Sequence, residues 1–547
     1  MEKRWILISM FAGVLLIVAP TGEAQEAEAA SGNAATIPLT FVEALPDTGS
    51  EGARSVTVHA CGSKGTVLRA TMGVTATGTR IVLGETADTA AINSEIGNDF
   101  KLSFMGPSAD PNYDALYPAV AYNSTDNQYL VVWQGSDDTV GEYEIWGQRV
   151  NAATGVRIGA DFQISFTGTS GDADRDAEDP DVAYNSASNE YLVVWSGDHY
   201  ADGDFEIFGR RVDADTGTLL GMQVRVSVMG PVVDPDYDAR SPAVAYNSTD
   251  NEYLVVWEGD DNDDSLADDE FEIWGQLLEG EGTVEWIGSD FLISEMGGYG
   301  NADYDAYDPD VAYNSTDNQY MVVYEGDESF YGVADNEFEI WGHRLSATGG
   351  AMGVRDFRIS TMGPSDDADY DAGDPAIAYN SHNNQYLVVW EGEDSAVDLY
   401  DIFGQRLEAN GLSVGSDDFY LSHVGSGPNS DYDAVNPAVA YDEANNEYLA
   451  VWQDDELAVG EYEIWGQRVD AGTGAAIDID TRLSDMGPDG NAAYIAQTPA
   501  VAYSGVSNHQ YLVVWSGDNS TDGEFEIWGQ RFAGGHRLTL PLVLREY

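Results

Sequence analysis

The chain predicts an all-β fold, a seven-bladed β-propeller of four-stranded antiparallel blades. Three observations carry that reading: a repeat of 62 to 67 residues that recurs seven times, aromatic columns fixed inside it, and no helical periodicity anywhere. The repeat opens on P-x-(V/I)-A-Y at Pro118, Pro180, Pro242, Pro309, Pro375, Pro437 and Pro499. A second run, Y-(L/M)-(V/A)-V-(W/Y), ends at Trp133, Trp195, Trp257, Tyr324, Trp390, Trp452 and Trp515. The third is (E/D)-I-(W/F)-G, with its aromatic at Trp146, Phe208, Trp274, Trp341, Phe403, Trp465 and Trp528. The fourth is D-F-x-(I/L)-S, clearest at 99–103, 161–165, 290–294 and 356–360.

Each column justifies one strand. The second run is apolar at every position, as a strand covered on both faces requires. Eleven of the 13 Trp fall in the second and third columns, which makes tryptophan a core device. Gly, Asn and Asp between the runs supply the turns. Sheets covered on both faces and repeated in this way suit blades stacked around an axis. The last unit ends near Phe532 without a fourth strand, while a spare one, 99–103, precedes the first unit. Pairing the two would close the ring and remove both open edges. The alternative is eight blades, with 54–105 as a degenerate first blade and 538–544 as a late outer strand.

Around the propeller at 96–532 lie an N-terminal β segment or degenerate blade at 30–95 and a tail at 533–547. Residues 1–29 read as a signal peptide, with a basic start, an apolar run from Trp5 to Pro20 and small residues beyond it. That run is too short to span a bilayer, so the mature chain is expected to lack a transmembrane segment and to be secreted or held at a bacterial cell surface.

Charge narrows the partners. Lys and Arg number 23 against 96 Asp and Glu, a net charge of −73, which excludes nucleic acid and anionic membranes. The single Cys61 excludes a disulfide framework. The acids are placed in columns. A linker motif (D/N)-x-(D/N)-x-D precedes six of the seven prolines: Asp110, Asn112, Asp114; Asp172, Asp174, Asp176; Asp234, Asp236, Asp238; Asn301, Asp303, Asp305; Asp367, Asp369, Asp371; Asn429, Asp431, Asp433. Alternating oxygen ligands on a tight loop are how proteins gather calcium. A second column, the acid before I-(W/F)-G, offers further ligands: Glu144, Glu206, Glu272, Glu339, Asp401, Glu463 and Glu526. Propeller topology brings the loops carrying both columns to one face. Calcium is therefore the expected cofactor. The loop lacks the sharp-turn glycine and the bidentate Glu of an EF-hand, and a solvated acidic surface is the competing reading. The column of Arg149, Arg211, Arg344, Arg406, Arg468 and Arg531 is expected to pair with neighbouring acids.

The third and fourth units carry four extra residues between their second and third strands, on the same face. Asp260, Asp261, Asp263 and Asp264 in one, Phe330 and Tyr331 in the other, form a candidate edge for a glycan or protein ligand.

The pattern P-x-V-A-Y, Y-L-V-V-W, I-W-G-Q-R-V, D-F-x-I-S resembles the V-V-W/G-Q-R repeats of exported bacterial β-propeller proteins, over about residues 96–532. The resemblance implies the fold and export more than any activity, since such repeats occur in surface or adhesion-like proteins. Nucleophile, phosphate-loop and zinc motifs are absent, and almost the same residues recur in every blade, whereas an active site needs a unique constellation. The expectation is a calcium-stabilised, non-catalytic binding or cell-surface module; the alternative is a polysaccharide-acting propeller, hydrolase or lyase.

Overall fold

The Y-L-V-V-W runs form the second strand of every blade and are almost wholly buried: Tyr129 through Trp133 are each at most 1% exposed. In the computed structural model the described residues are 95–534, except 108–109, 137–140, 169–173, 232–234, 262–269, 299–300, 302, 328–336, 364–369, 394–398, 423–431, 456–458, 506–508 and 521–522; ahead of them only four short strands are described. Those four pair as Ile6–Ser9 with Leu15–Val18 and Leu39–Phe41 with Val58–Ala60, in a unit separate from Ser94–Gly534. Cys61 and the segments proposed for an eighth blade otherwise lie outside the described residues.

Seven four-stranded antiparallel sheets make up the larger unit, in the order inner, second, third, outer strand. Blade 1 runs Ala115–Asn123, Gln128–Gly135, Glu144–Asn151, Arg157–Gln163, and blades 2 to 6 follow the same plan. Blade 7 takes its outer strand from the other end of the chain. Phe100–Lys101 pairs with Gly529 and Trp528, so the spare early strand closes the ring as expected, with seven blades. Apolar clusters span every seam; Leu102, Val131 and Trp133 pack with Leu512, Val514 and Ile527 across the closing one. A tryptophan buried in this way hides roughly 200 Å², on the order of 5 kcal/mol of gross transfer free energy.

Two regularities shape the channel mouth and the seams between blades. Every inner strand carries a β-bulge at its proline, and the residue before that proline has positive φ: Tyr117, Asp179, Ser241, Asp308, Asp374, Asn436 and Thr498, at 46 to 54°. L-residues adopt this region at a penalty, so the surroundings must hold each one there. Second, the arginine column mostly does not pair with acids. Arg149, Arg406 and Arg531 donate to carbonyls of the next blade's hairpin, at Asp215, Gly472 and Ala153, and Arg344 reaches the Gln319 side chain; only Arg211 and Arg468 meet a glutamate. Hairpin carbonyls left out of the sheet ladder need donors, and a guanidinium carries five.

Candidate functional site at the channel mouth

The two acidic columns do meet on one face, but both are spent largely on holding the blades. The last aspartate of the linker accepts the N–H of the aromatic residue that precedes the third strand of the preceding blade. Asp114 takes Phe525 N at 2.9 Å, Asp176 takes Tyr143 N at 2.8 Å, and Asp238, Asp305, Asp371 and Asp433 repeat this on Phe205, Phe271, Phe338 and Tyr400 at 2.9 to 3.1 Å. The second column turns inward. Glu144 accepts from the Ser165 hydroxyl and from Thr167 N at 2.7 Å; Glu206, Glu272, Glu339, Glu463 and Glu526 do the same with Ser227, Ser294, Ser360, Ser484 and Ser103, and Asp401 with Ser422 at 2.7 Å. The serine of D-F-x-I-S is thus the partner of the acid before I-W-G. Burial pushes Glu144, Glu206 and Glu463 up to about 7, and drives Glu272 up as well.

The other expected ligands are more dispersed. Asp110 accepts from the Asn112 side chain at 2.6 Å, and Asp174, Asp236 and Asp303 are exposed, while Asn301 is half-buried. Asp172, Asp234, Asp367, Asp369, Asn429 and Asp431 lie outside the described residues, as do Asp263, Asp264, Phe330 and Tyr331. Among the described residues no three His, Cys, Asp or Glu side chains are grouped so as to hold a metal ion. Of the proposed ligand edge, Asp260 is 1% exposed and Asp261 accepts Gly230 N at 3.2 Å, so neither stands out as a raised acidic edge.

The structure instead gathers carboxyls at a place the motif spacing does not single out, the pre-proline bulge. The N–H of each strained residue is taken by the side chain that follows the second-strand aromatic of the preceding blade. Asp179 N donates to Gln134 at 3.0 Å and Thr498 N to Gln453 at 2.8 Å. In the middle blades the acceptor is a carboxylate: Asp308 N to Glu258 at 2.9 Å, Asp374 N to Glu325 at 3.1 Å and Asn436 N to Glu391 at 2.7 Å. The backbone therefore forces glutamates against the aspartates of the next bulge. Glu258, Asp308, Glu325, Asp374 and Glu391 form one arc, with Glu178, Asp179 and Arg240 beside it. Burial first, and then mutual repulsion, lifts Asp308 to about 8 and Glu391 to about 9; Glu258 and Asp374 are lifted by burial and Glu325 well above its usual range. Such a group titrates as a unit and holds protons at neutral pH.

The arc breaks the sevenfold repeat. The same two columns read Gln453, Ser516, Gln134 and Asn436, Thr498, Tyr117 on the other side of the ring. Around it runs a collar of aromatics, Tyr143, Phe205, Phe271, Phe338, Tyr400, Tyr462 and Phe525, the middle residues of the E-(F/Y)-E motif. Tyr307 on the inner strand packs between Phe271 and Phe338, ring centres 5.6 and 6.1 Å apart, and Arg240 lies 3.9 Å from the Phe205 ring centre. The Glu391 charge acts on both Tyr400 and Tyr462, which places collar and arc together. Comparing the pre-proline and post-aromatic columns blade by blade was the signal available in the sequence; the bulge hides it, because it breaks the strand's alternation.

No protein-family model and no curated protein matches the chain. Solved structures similar to it include the NanB sialidase from Streptococcus pneumoniae, with 11% identity, TM-score 0.39, and 80% of this chain and 71% of that one covered. The polysaccharide lyase Uly1 shares 11% identity at TM-score 0.44, covering 80% and 93%. The β-propeller domain of the Trilobed protease from Pyrococcus furiosus shares 8% at 0.40, covering 78% and 97%. These likenesses are too slight to assign an activity. Among the described residues no helix is long and apolar enough to cross a membrane.

Proposed function

We propose that this propeller acts on polysaccharide at the acidic mouth of its channel. The observation that supports the reading is the carboxyl arc, confined to one side of the ring and enclosed by an aromatic collar. Aromatic faces stack sugar rings, and cleavage of a glycosidic bond needs one protonated and one ionised carboxyl. A coupled cluster that keeps protons at neutral pH supplies both. A protonated member would give its proton to the leaving oxygen, while an ionised neighbour attacks the anomeric carbon or activates water. Hydrolysis suits the molecule better than elimination, since a lyase takes acidic sugars and a net charge of −73 repels them. The blade-to-blade uniformity that favours a non-catalytic module holds for the core columns and fails at this mouth.

The test is release of reducing ends from arabinan, xylan and chitosan. Glu391→Gln and Asp308→Asn are each expected to lower the rate at least about a hundredfold with the fold intact. Activity is expected to be lost as pH rises through about 8 to 9, where the arc loses its last protons. No release from any of the three, or variants as fast as the parent, would sink the reading.

A specific feature also favours calcium at the blade linkers. Asp176, lifted to about 6, feels the charges of Asp198, Glu142 and Asp202, and a cation at that rim would relieve them. With the Glu144 column turned inward, linker aspartates and acids of the Glu142 and Asp198 kind would be the ligands. Export through the 1–29 leader, to the medium or a cell surface, completes the proposal.

A further inference from the structure

One position in the mouth lacks a side chain. The second residue of each inner strand reads Leu116, Glu178, Arg240, Tyr307, Gly373, Val435 and Gln497 around the ring. At Gly373 a Cβ would stand 2.6 Å from Glu325 Oε2 and 4.0 Å from Glu391 Cγ. The first distance is closer than atoms tolerate, and what would yield is the free end of a flexible side chain. Gly373 has no positive φ, so the turn does not demand glycine there. The missing side chain is what allows the Glu325 carboxylate to lie against Asp374 N at 3.1 Å.

The repeat itself shows that the two positions vary together. Where the residue after the second-strand aromatic is short, the next blade fills the space: Ser516 faces Leu116 and Ser196 faces Arg240. Where it is Glu325, the next blade leaves the space empty. Its charged surroundings are all acidic, Asp308 on its own blade's inner strand and Asp374 and Glu391 on the next blade.

We propose that Gly373 is a positioning residue of the channel mouth: it admits the Glu325 carboxyl into the arc beside Asp374 and Glu391, and leaves the gap in the ring through which a sugar reaches them. The second half rests on the polysaccharide reading; the first does not. The experiment compares Gly373→Ala with Gly373→Leu/Glu325→Ser, which copies the pair already present at Leu116 and Ser516 and so guards against misfolding. Carboxyl titration followed by carbon-13 NMR on the full chain is the main readout, with reducing-end release from whichever of arabinan, xylan or chitosan the parent cleaves as the second.

In Gly373→Ala the Glu325 carboxyl is expected to swing out to water and titrate at least about one pH unit lower, because burial and its acidic neighbours raise it in the parent. Melting should stay within a few degrees of the parent. The double variant should fold and lose that titration altogether, and both variants should lose most of the cleavage. An unchanged Glu325 titration in Gly373→Ala overturns the proposal, as does undiminished cleavage by the double variant. A parent that cleaves nothing, with Glu325 moving as stated, sinks the polysaccharide reading and keeps the positioning role.

Discussion

Blade 4 shows how single residues compensate for one another inside a strict repeat. Its second strand ends on Tyr324 where the other six blades have Trp, and His343 stands where five have Gln. The tyrosine brings a hydroxyl into a fully buried place, and a buried hydroxyl needs a partner. Asp356 provides it, accepting from Tyr324 Oη at 2.7 Å and bonding His343 Nδ1 at 2.8 Å. Asp356 itself has φ of 40°, a strained conformation these bonds help to hold. Tyr324→Phe is expected to lower stability by about 1 kcal/mol, read from urea unfolding, because Asp356 keeps the imidazole but loses one donor. A larger loss, near that of an unpaired buried charge, would mean that the histidine does not hold the carboxylate. None of this is legible in the sequence, where Tyr324 looks like a tolerated aromatic exchange and Asp356 like any start of D-F-x-I-S.

At the scale of strands, the ladder order, the blade number and the closing strand were all readable, since apolar runs and turn residues recur at one spacing and a missing strand at one end matches a spare at the other. Side-chain direction within the acidic motifs was not. In E-(F/Y)-E the two acids lie on one side of a strand start, yet the second finds a serine about 20 residues further on, and only pairing of the third and outer strands brings that serine near. In blade 7 the same bond joins Ser103 to Glu526 and thereby ties the two ends of the ring, helped by Lys101 at 2.8 Å from Glu526. Removing residues 95–105 is expected to expose the third strand of blade 7 as an open edge and to turn a monomer into aggregates, seen by light scattering. Ser103→Ala should cost about 1 to 3 kcal/mol by stranding a buried carboxyl, and more than a change at an exposed serine such as Ser124. Equal melting of the Ser103 and Ser124 variants would show that this bond does not hold the closure.

For the whole molecule, charge and burial act in the same direction on pH. Glu144, Glu206 and Glu463 titrate near 4.5 when unfolded and are raised to about 7 when folded. The folded chain therefore binds more protons between those values, and the stability each group contributes is full below pH 4.5 and lost as pH rises through about 7, on the order of 3 kcal/mol per group. In chelator, melting temperature is expected to rise as pH falls from 8 to 5. Millimolar calcium should raise it at pH 8 by several degrees and flatten the dependence; curves that coincide with and without calcium would leave only a solvated acidic rim. The closing strand has a mechanical consequence too. Residue 95 bridges Phe532 and Ile96 bonds Arg531 at 2.8 Å, whereas Lys101 pairs deeper, with Trp528, so the chain leaves the clasp at the same end on both sides. Tension applied through the two flanks would peel these bonds apart in sequence, the outermost first, without loading them together in shear. Seven tightly packed blades thus hang on a zipper, and a small pull on both flanks, far below what a blade withstands, would open the ring at that one seam.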